Sequence, residues 1–149
     1  MANVVPYSFA QELLKGTHNF VGNTINIALY EAGSGSPYAV SDTAYSSGVA
    51  NQVGTSGTGY ATGGKTLQNG TVANQTSVAT LTFDTISWTS ATFGAAYGVL
   101  YNNSASDKLV VVLDFGGTKS CSNGTFTITF PSTSSGTPAG TDSLISITS

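Results

Sequence analysis

The stretch GYATGGKT, residues 59–66, contains the residues of a phosphate-binding loop in the required order. The pattern G-x-x-x-x-G-K-[ST] places backbone N–H groups and a lysine around the phosphates of a nucleotide, and its hydroxyl holds Mg²⁺. The run LVVVLD, which ends at Asp114, is similar to the strand whose carboxylate holds the same Mg²⁺. These two segments raise nucleotide hydrolysis as a first hypothesis.

The sequence around the pattern argues against this chemistry. A phosphate-binding loop follows a buried strand and opens a helix, whose N-terminus faces the phosphates. Here the polar run NQVGTSGT precedes the pattern, and the strong turn dipeptide Asn69-Gly70 follows four residues after Lys65. We therefore predict two short strands separated by a turn at Gly63-Gly64, and a second turn at Asn69-Gly70. Despite its match, Gly59–Thr66 is predicted to bind no nucleotide.

The other reactive side chains do not form a recognisable catalytic motif. Asp114 is interpreted as a strand-end residue that bonds nearby backbone, because Phe115-Gly116-Gly117 leads into a turn. His18 is the only histidine and is interpreted as a loop residue. The carboxylates are spread singly and Cys121 is the only cysteine, so no carboxylate pair, disulfide or cysteine-based metal site is expected. Catalytic, cofactor-binding and metal-binding residues are all predicted to be absent, as in a protein that is not an enzyme.

An aromatic sugar-binding platform is a further alternative. The chain has one tryptophan, Trp88, and seven tyrosines, and such rings stack on sugars. Aromatic residues spaced two apart on strands are, however, usually part of a core. This favours a structural role for Trp88 and leaves carbohydrate binding as the weaker interpretation.

Composition restricts the possible partners. Charged residues make up 7% of the 149 residues, against roughly 25% in a typical soluble domain, and there is no arginine. A net charge of −3 without arginine argues against nucleic acid, whose phosphates need clustered Lys and Arg. It argues against anionic membrane surfaces for the same reason. No apolar run approaches the roughly 18 residues of a membrane-spanning helix.

One short helix is predicted in PYSFAQELLKG, with Ser8 as N-cap and Gln11 completing a capping box. Phe9 and Leu13 share a face, and Gly16 can end the helix in the left-handed conformation. Two helical turns are not stable alone in water, so the helix must pack on its own subunit or on a neighbour.

After Gly16 the apolar period changes to two, which indicates short β-strands. The loop YNNSASDK, residues 101–108, is predicted to join two of them as a hairpin. The expected fold is all-β: an antiparallel, jelly-roll-like β-sandwich of about eight strands with one short N-terminal helix, in a single domain 1–149. Within it, residues 1–16 form the N-terminal segment and residues 31–57 a long loop. The predicted inward faces are Ile25, Ile27 and Leu29; Ala79, Leu81 and Phe83; Phe93, Ala95, Tyr97, Val99 and Tyr101; Leu109, Val111, Leu113 and Phe115; and Phe126, Ile128 and Phe130.

Five ordered segments resemble a family of small structural proteins of tailed bacteriophages. They are ELLKGTHNF, TINIALY, GTGYATGGKTL, DTISWTSATFGAAYGVLYN and LVVVLDFGGTKSCSNGTFTITFP, and together they span roughly residues 8–130. In that family GTGYATGGKTL is part of the β domain, which agrees with the argument against a phosphate-binding loop. The chain departs from the family where members often carry an arginine, because Ala95 and Ala96 stand there.

The resemblance implies a capsid decoration (cement) protein on the outside of the head shell, made in the host bacterial cytoplasm and bound to the major capsid protein as a homotrimer. The alternative is a tail, neck or fibre component, with or without host-glycan binding. The sequence adds candidate interface residues, because the N-terminal segment and the long loop have more apolar and aromatic residues than free surface needs. These residues are Tyr7, Phe9, Leu13, Leu14, Tyr38 and Tyr45.

Overall fold

A computed structural model describes residues 3–75, 78–131 and 144–148, and in these ranges the chain is mostly β with one short helix. The helix is α1 (Tyr7–Leu14), and a short 3-10 turn occupies Asn103–Ala105. The strands are β1 (Ile25–Tyr30), β2 (Lys65–Thr66), β3 (Thr71–Gln75), β4 (Val78–Thr82), β5 (Ile86–Asn102), β6 (Lys108–Ile128) and β7 (Ile145–Thr148).

The helix lies where the sequence predicts it, but its N-cap is different. Pro6 is the N-cap and makes no side-chain capping bond, so the predicted Ser8 capping box is wrong. Proline's fixed φ, here −61°, positions the chain for a helix that begins one residue before Ser8. Gly16 has a φ of +70°, which confirms the predicted helix end. Phe9 is buried and Leu13 half-buried, so the helix packs on its own subunit.

The strands form two antiparallel sheets. One has the order β2-β1-β5-β6 and the other the order β3-β4-β7. The long hairpin of β5 and β6 dominates the first sheet, and residues 103–107 connect its strands, which confirms the predicted hairpin. Among the described residues there are seven strands; the expected count of about eight and the jelly-roll order stay predictions.

The four-stranded sheet is covered on both faces along β1, the second half of β5 and the first residues of β6. One face belongs to a large cluster that also contains Leu81 and Phe83, which come from β4 and the residue after it. The other face carries a second cluster, covered by Tyr38, Tyr45 and Val49 of the long loop. Burial on both sides explains why β1 and the second half of β5 are apolar almost throughout.

Register shifts change several predicted faces. A shift in pairing between Ala95 and Tyr97 exchanges the two sides of β5, so that Ala95 faces the first cluster and Tyr97 faces the second. A shift opposite Tyr101 likewise separates Leu109 from Val111. The single inward face predicted for each of these strands is therefore wrong, because each shift leaves residues unpaired and reverses the alternation.

The predicted inward positions differ from the structure in β4 but agree with it in TFTITF. Ala79 is exposed while Val78 and Thr80 are buried, so the predicted inward position of Ala79 is wrong. In β6 and after it, Phe126 and Phe130 are buried and Ile128 is half-buried, whereas Thr125, Thr127 and Thr129 are exposed. This alternation confirms the prediction for TFTITF. Leu113 and Phe115 are also half-buried against the first cluster.

The segment Phe115-Gly116-Gly117 does not end β6. The strand continues to Ile128, and the segment forms a bulge whose glycines have φ values of +70° and +122°. Opposite it, Tyr97 pairs with Asp114 and Ala95 with Lys119, so β6 accommodates extra residues here. The predicted turn is therefore a bend within one long strand.

Candidate functional site

Gly59–Thr66 has the residues of a phosphate-binding loop without its local structure. No strand directly precedes it, and its last two residues form the short strand β2, which pairs with β1. The prediction that no helix begins at Lys65 is therefore confirmed. Gly63 and Gly64 have φ values of +87° and +78°, as the predicted turn requires. Of the two strands predicted around this turn, only the second is present.

The groups that would bind phosphate are engaged within the protein. Gly64 lies so close to β1 that a Cβ there would be 2.9 Å from the Cα of Ala28. Lys65 Nζ donates a hydrogen bond to the carbonyl oxygen of Ser87 at 2.6 Å and lies 5.5 Å from the centroid of the Trp88 ring. The glycine and the lysine thus fasten this segment to β1 and β5.

Asp114 and Asp84 both accept hydrogen bonds from amide N–H groups. Asp114 Oδ1 accepts a hydrogen bond from the N–H of Gly116 at 2.8 Å, as predicted, although it lies at the bulge of β6 and not at a strand end. Asp84 Oδ2 accepts from Asn69 Nδ2 at 2.6 Å. Within the described ranges, no three His, Cys, Asp or Glu side chains come together in a way that could hold a metal ion.

His18 belongs to a buried polar cluster with Glu12, Asn102, Asn23 and Lys108. Its Nε2 lies 3.1 Å from Glu12 Oε2, and Asn102 Nδ2 lies 3.1 Å from its Nδ1. Because an amide nitrogen only donates, Nδ1 accepts and Nε2 carries the proton shared with Glu12. Asn102 also donates to Asn23 Oδ1 at 2.9 Å, and Lys108 Nζ lies 3.4 Å from Glu12 Oε1.

This polar cluster joins α1 to both strands of the long hairpin. The His18 side chain has no solvent exposure, and its ring stacks on Phe20 at a centroid distance of 5.7 Å. A buried polar network of this kind specifies one arrangement of the elements that it connects. The geometry therefore supports a structural role for His18, which on sequence grounds was interpreted only as a loop residue.

Trp88 does not form a sugar-binding platform. It is 1% exposed, and its ring centroid lies 6.1 Å from that of Phe126 and 6.4 Å from that of Tyr60. The platform hypothesis is therefore wrong for Trp88, because its ring is enclosed in the first core cluster.

Tyrosine side chains hold the long loop and the segment that follows it onto the sheet. The hydroxyl of Tyr60 accepts a hydrogen bond from the N–H of Leu29 at 2.9 Å, and Tyr30 and Tyr38 share one at 3.2 Å. Tyr45 stacks on Tyr101 with centroids 4.1 Å apart. Burial raises the pKa of the Tyr101 hydroxyl to about 12, and it raises the pKa of Tyr30 further still. The long loop is thus a covering layer of the fold.

The candidate interface residues divide into exposed and internal ones. Tyr7 is 73% exposed and Leu14 is 92% exposed, so both present apolar area to solvent. Leu13 and Tyr45 are half-buried. Phe9 and Tyr38 are each 3% exposed and are already used in the protein's own core. Of the six residues, the structure therefore leaves Tyr7 and Leu14 as the ones with a free surface.

Further exposed apolar side chains lie near α1. The Tyr7 N–H donates to the Val40 carbonyl oxygen at 2.8 Å, so Val40 borders the start of the helix. Leu13, Phe20, Val72 and Ala79 line an apolar groove of about 130 Å³ between the helix and the β3–β4 pair. Among the described residues, every large apolar side chain that is strongly exposed comes from the first half of the chain: Val5, Tyr7, Leu14, Val21, Val40 and Val72. We call these six residues the apolar surface.

Comparison with known proteins identifies no relative: no family description matches the chain, and neither curated proteins nor solved structures show a significant similarity to it. In the part of the chain that the structure describes, no helix has the length and apolar character needed to cross a membrane.

Proposed function

We propose that this protein is a non-enzymatic structural protein of a tailed-bacteriophage virion, a capsid decoration protein that stabilises the outside of the head shell. The apolar surface is the observation that carries the proposal. Leu14 is 92% exposed and Tyr7 is 73% exposed on a helix whose opposite face is buried. Tyr7 and Leu14 are seven residues apart in α1 and so lie on one face of the helix. Exposed apolar area of this kind is characteristic of surfaces that contact another protein.

The distribution of charge supports a permanent contact over a transient one. With 7% charged residues the chain has little capacity for electrostatic steering of diffusing partners. The centres of protein interfaces are depleted in charge and enriched in aromatic and apolar side chains. We propose that α1 and the apolar surface contact neighbouring copies in a homotrimer or the major capsid protein.

A jelly-roll-like β-sandwich architecture is part of the same proposal. The two sheets contribute to one core cluster, which supports a β-sandwich of the jelly-roll-like type that the sequence predicts.

The ratio of this protein to the major capsid protein in purified virions tests the location. Hundreds of copies per particle are expected for a decoration protein. A few to a few dozen copies, found on tails and absent from heads, would replace the decoration proposal by the tail, neck or fibre alternative.

A pair of charge substitutions tests the contact surface. Leu14→Asp places a charge within the apolar surface, and we expect it to reduce trimer formation or binding to empty shells. Thr125→Asp adds the same charge to an exposed position of β6, outside α1 and outside the apolar surface, and it serves as the matched control. Light scattering and shell co-sedimentation measure both effects. Full trimer formation and full shell occupancy by Leu14→Asp would refute a role for the apolar surface.

Substitution is a better test than removal of residues 1–15. Phe9 and Glu12 are 3% and 7% exposed, so deleting the helix would open the core and the polar cluster. The N-terminal segment is thus an integral part of the β domain, and loss of binding after deletion would not separate contact from folding.

A further inference from the structure

We infer that the protein has a binding cleft for a neutral saccharide, which shares only Val21 with the apolar surface and is independent of the capsid proposal. The cleft has a volume of about 420 Å³ and lies between the loop at residues 20–24, the segment 66–71 after β2, and Phe83. It shares only Phe20 with the apolar groove beside α1. Its volume falls within the range of roughly 300 to 1,000 Å³ that is usual for small-molecule sites.

The lining selects the chemical class of the ligand. None of the eleven lining residues is charged, so the cleft offers no counter-charge for a phosphate, a carboxylate or an amine. Six of the eleven carry an amide or a hydroxyl group, which a purely apolar ligand would leave unpaired. Phe20, Val21 and Leu67 add apolar area beside these polar groups. A neutral molecule with many hydroxyl groups and apolar C–H faces complements this combination, and saccharides have this chemistry.

The polar groups of the cleft are held in place by bonds to the rest of the fold. Asn23 Oδ1 accepts from Asn102 Nδ2 at 2.9 Å, which ties this side of the cleft to the buried polar cluster. Thr66 Oγ1 donates to Asn26 Oδ1 at 2.8 Å, and Asn69 Nδ2 donates to Asp84 Oδ2 at 2.6 Å. Side chains fixed before binding lose little conformational entropy when a ligand arrives, which favours binding of a weakly interacting neutral molecule.

The backbone contributes to the shape of the cleft at the corner between β2 and β3. The chain passes here from one sheet to the other, and Asn69 adopts a left-handed conformation with a φ of +51°. Gly70 packs closely on the other wall, since a Cβ there would lie 2.9 Å from Cε1 of Phe83. The corner thus turns Gln68 and Thr71 outward to line the opening, and both side chains are exposed.

Titration followed by amide chemical shifts tests the inference on the whole protein. The probes are maltotriose, lactose and the trimer of N-acetylglucosamine at millimolar concentration, with glucose 6-phosphate as a charged comparison. We expect at least one neutral probe to shift the amides of residues 20–24 and 66–71 in a saturable way. Absence of such shifts with every neutral probe, or equal binding of glucose 6-phosphate, would overturn the inference.

Two glutamine substitutions distinguish saccharide binding in the cleft from binding elsewhere on the surface. Gln68→Ala removes an exposed amide from the cleft, and we expect it to weaken the binding of the effective probe about fivefold, the value of one neutral hydrogen bond. Gln11→Ala removes an exposed amide from α1 and should leave the affinity unchanged. Equal affinities of Gln68→Ala and the parent protein would place the sugar elsewhere and refute the cleft. These results are independent of the copy number in virions, so the inference and the capsid proposal can fail separately.

Discussion

Substitution of Gly64 by alanine should destabilise the protein far more than an ordinary surface change. Gly64 has a φ of +78°, a conformation that costs an L-residue about 1 to 2 kcal/mol. In addition, the new Cβ would overlap the carbonyl oxygen of Ile27 and lie 2.7 Å from its carbonyl carbon. Both atoms belong to the backbone of β1 and cannot rotate away, so the β1–β2 pair must separate. Overpacking of this kind costs about 1 to 3 kcal/mol, which gives a total loss of about 2 to 5 kcal/mol.

Gly16→Ala is the matched control for this prediction. Gly16 has a φ of +70°, but no atom lies within 4 Å of the position its Cβ would take. It should therefore lose only the conformational part, about 1 to 2 kcal/mol. Urea denaturation followed by the fluorescence of Trp88, the only tryptophan, measures both free energies of unfolding. If the two variants lose the same stability, the close packing of Gly64 against β1 is incorrect, and the segment at residues 59–66 is free to rearrange.

Three further outcomes are expected. Phe126→Ala should lower the free energy of unfolding by about 3 to 5 kcal/mol, because its ring centroid lies 4.9 Å from that of Phe93 in the core. Thr127→Ala, at an exposed position, should lower it by less than about 1 kcal/mol. Equal losses in urea denaturation would contradict the assigned alternation. Calorimetry should detect no binding of ATP or GTP up to millimolar concentration, and saturable binding that Lys65→Ala abolishes would disprove this. Burial raises the pKa of Tyr101 from 10.0 to about 12, so the hydroxyl loses its proton at a lower pH in the unfolded state than in the folded state. Its contribution to stability is therefore complete below about pH 10 and is lost as the pH rises towards 12. A free energy of unfolding that stays constant across this window would contradict the burial of the hydroxyl.

Features encoded by neighbouring residues could be predicted from the sequence. The hairpin of β5 and β6 follows from two strongly alternating runs around a polar loop, and the helix end follows from one glycine. The lack of a helix after Lys65 follows from Asn69-Gly70. The N-cap of α1 differs from the prediction: Ser8 and Gln11 match the capping-box pattern, but Pro6 is the N-cap, so Ser8 lies inside the helix.

Features that depend on distant partners could not be predicted. The change of faces at Ala95–Tyr97 arises from the glycine bulge in β6, and neither strand alone shows it. The polar cluster unites Glu12, His18 and Asn102, which are far apart along the chain, so no spacing identifies it. The saccharide cleft likewise combines a loop, a strand end and Phe83. Only the turn dipeptide Asn69-Gly70 within it carried a recognisable signal.

The long hairpin has a consequence for the order of folding. Residues 103–107 are all that separates β5 from β6, whereas β1 and β7 must find partners that lie far away in the sequence. The entropy lost on closing a loop increases with its length, so the hairpin forms its contacts at a lower cost than the other strand pairs. Trp88, Phe93 and Phe126 all belong to this hairpin and pack on one another. We expect substitutions at these aromatic residues to slow folding, and substitutions in β1 to accelerate unfolding, because the hairpin provides the surface on which the first half of the chain later assembles.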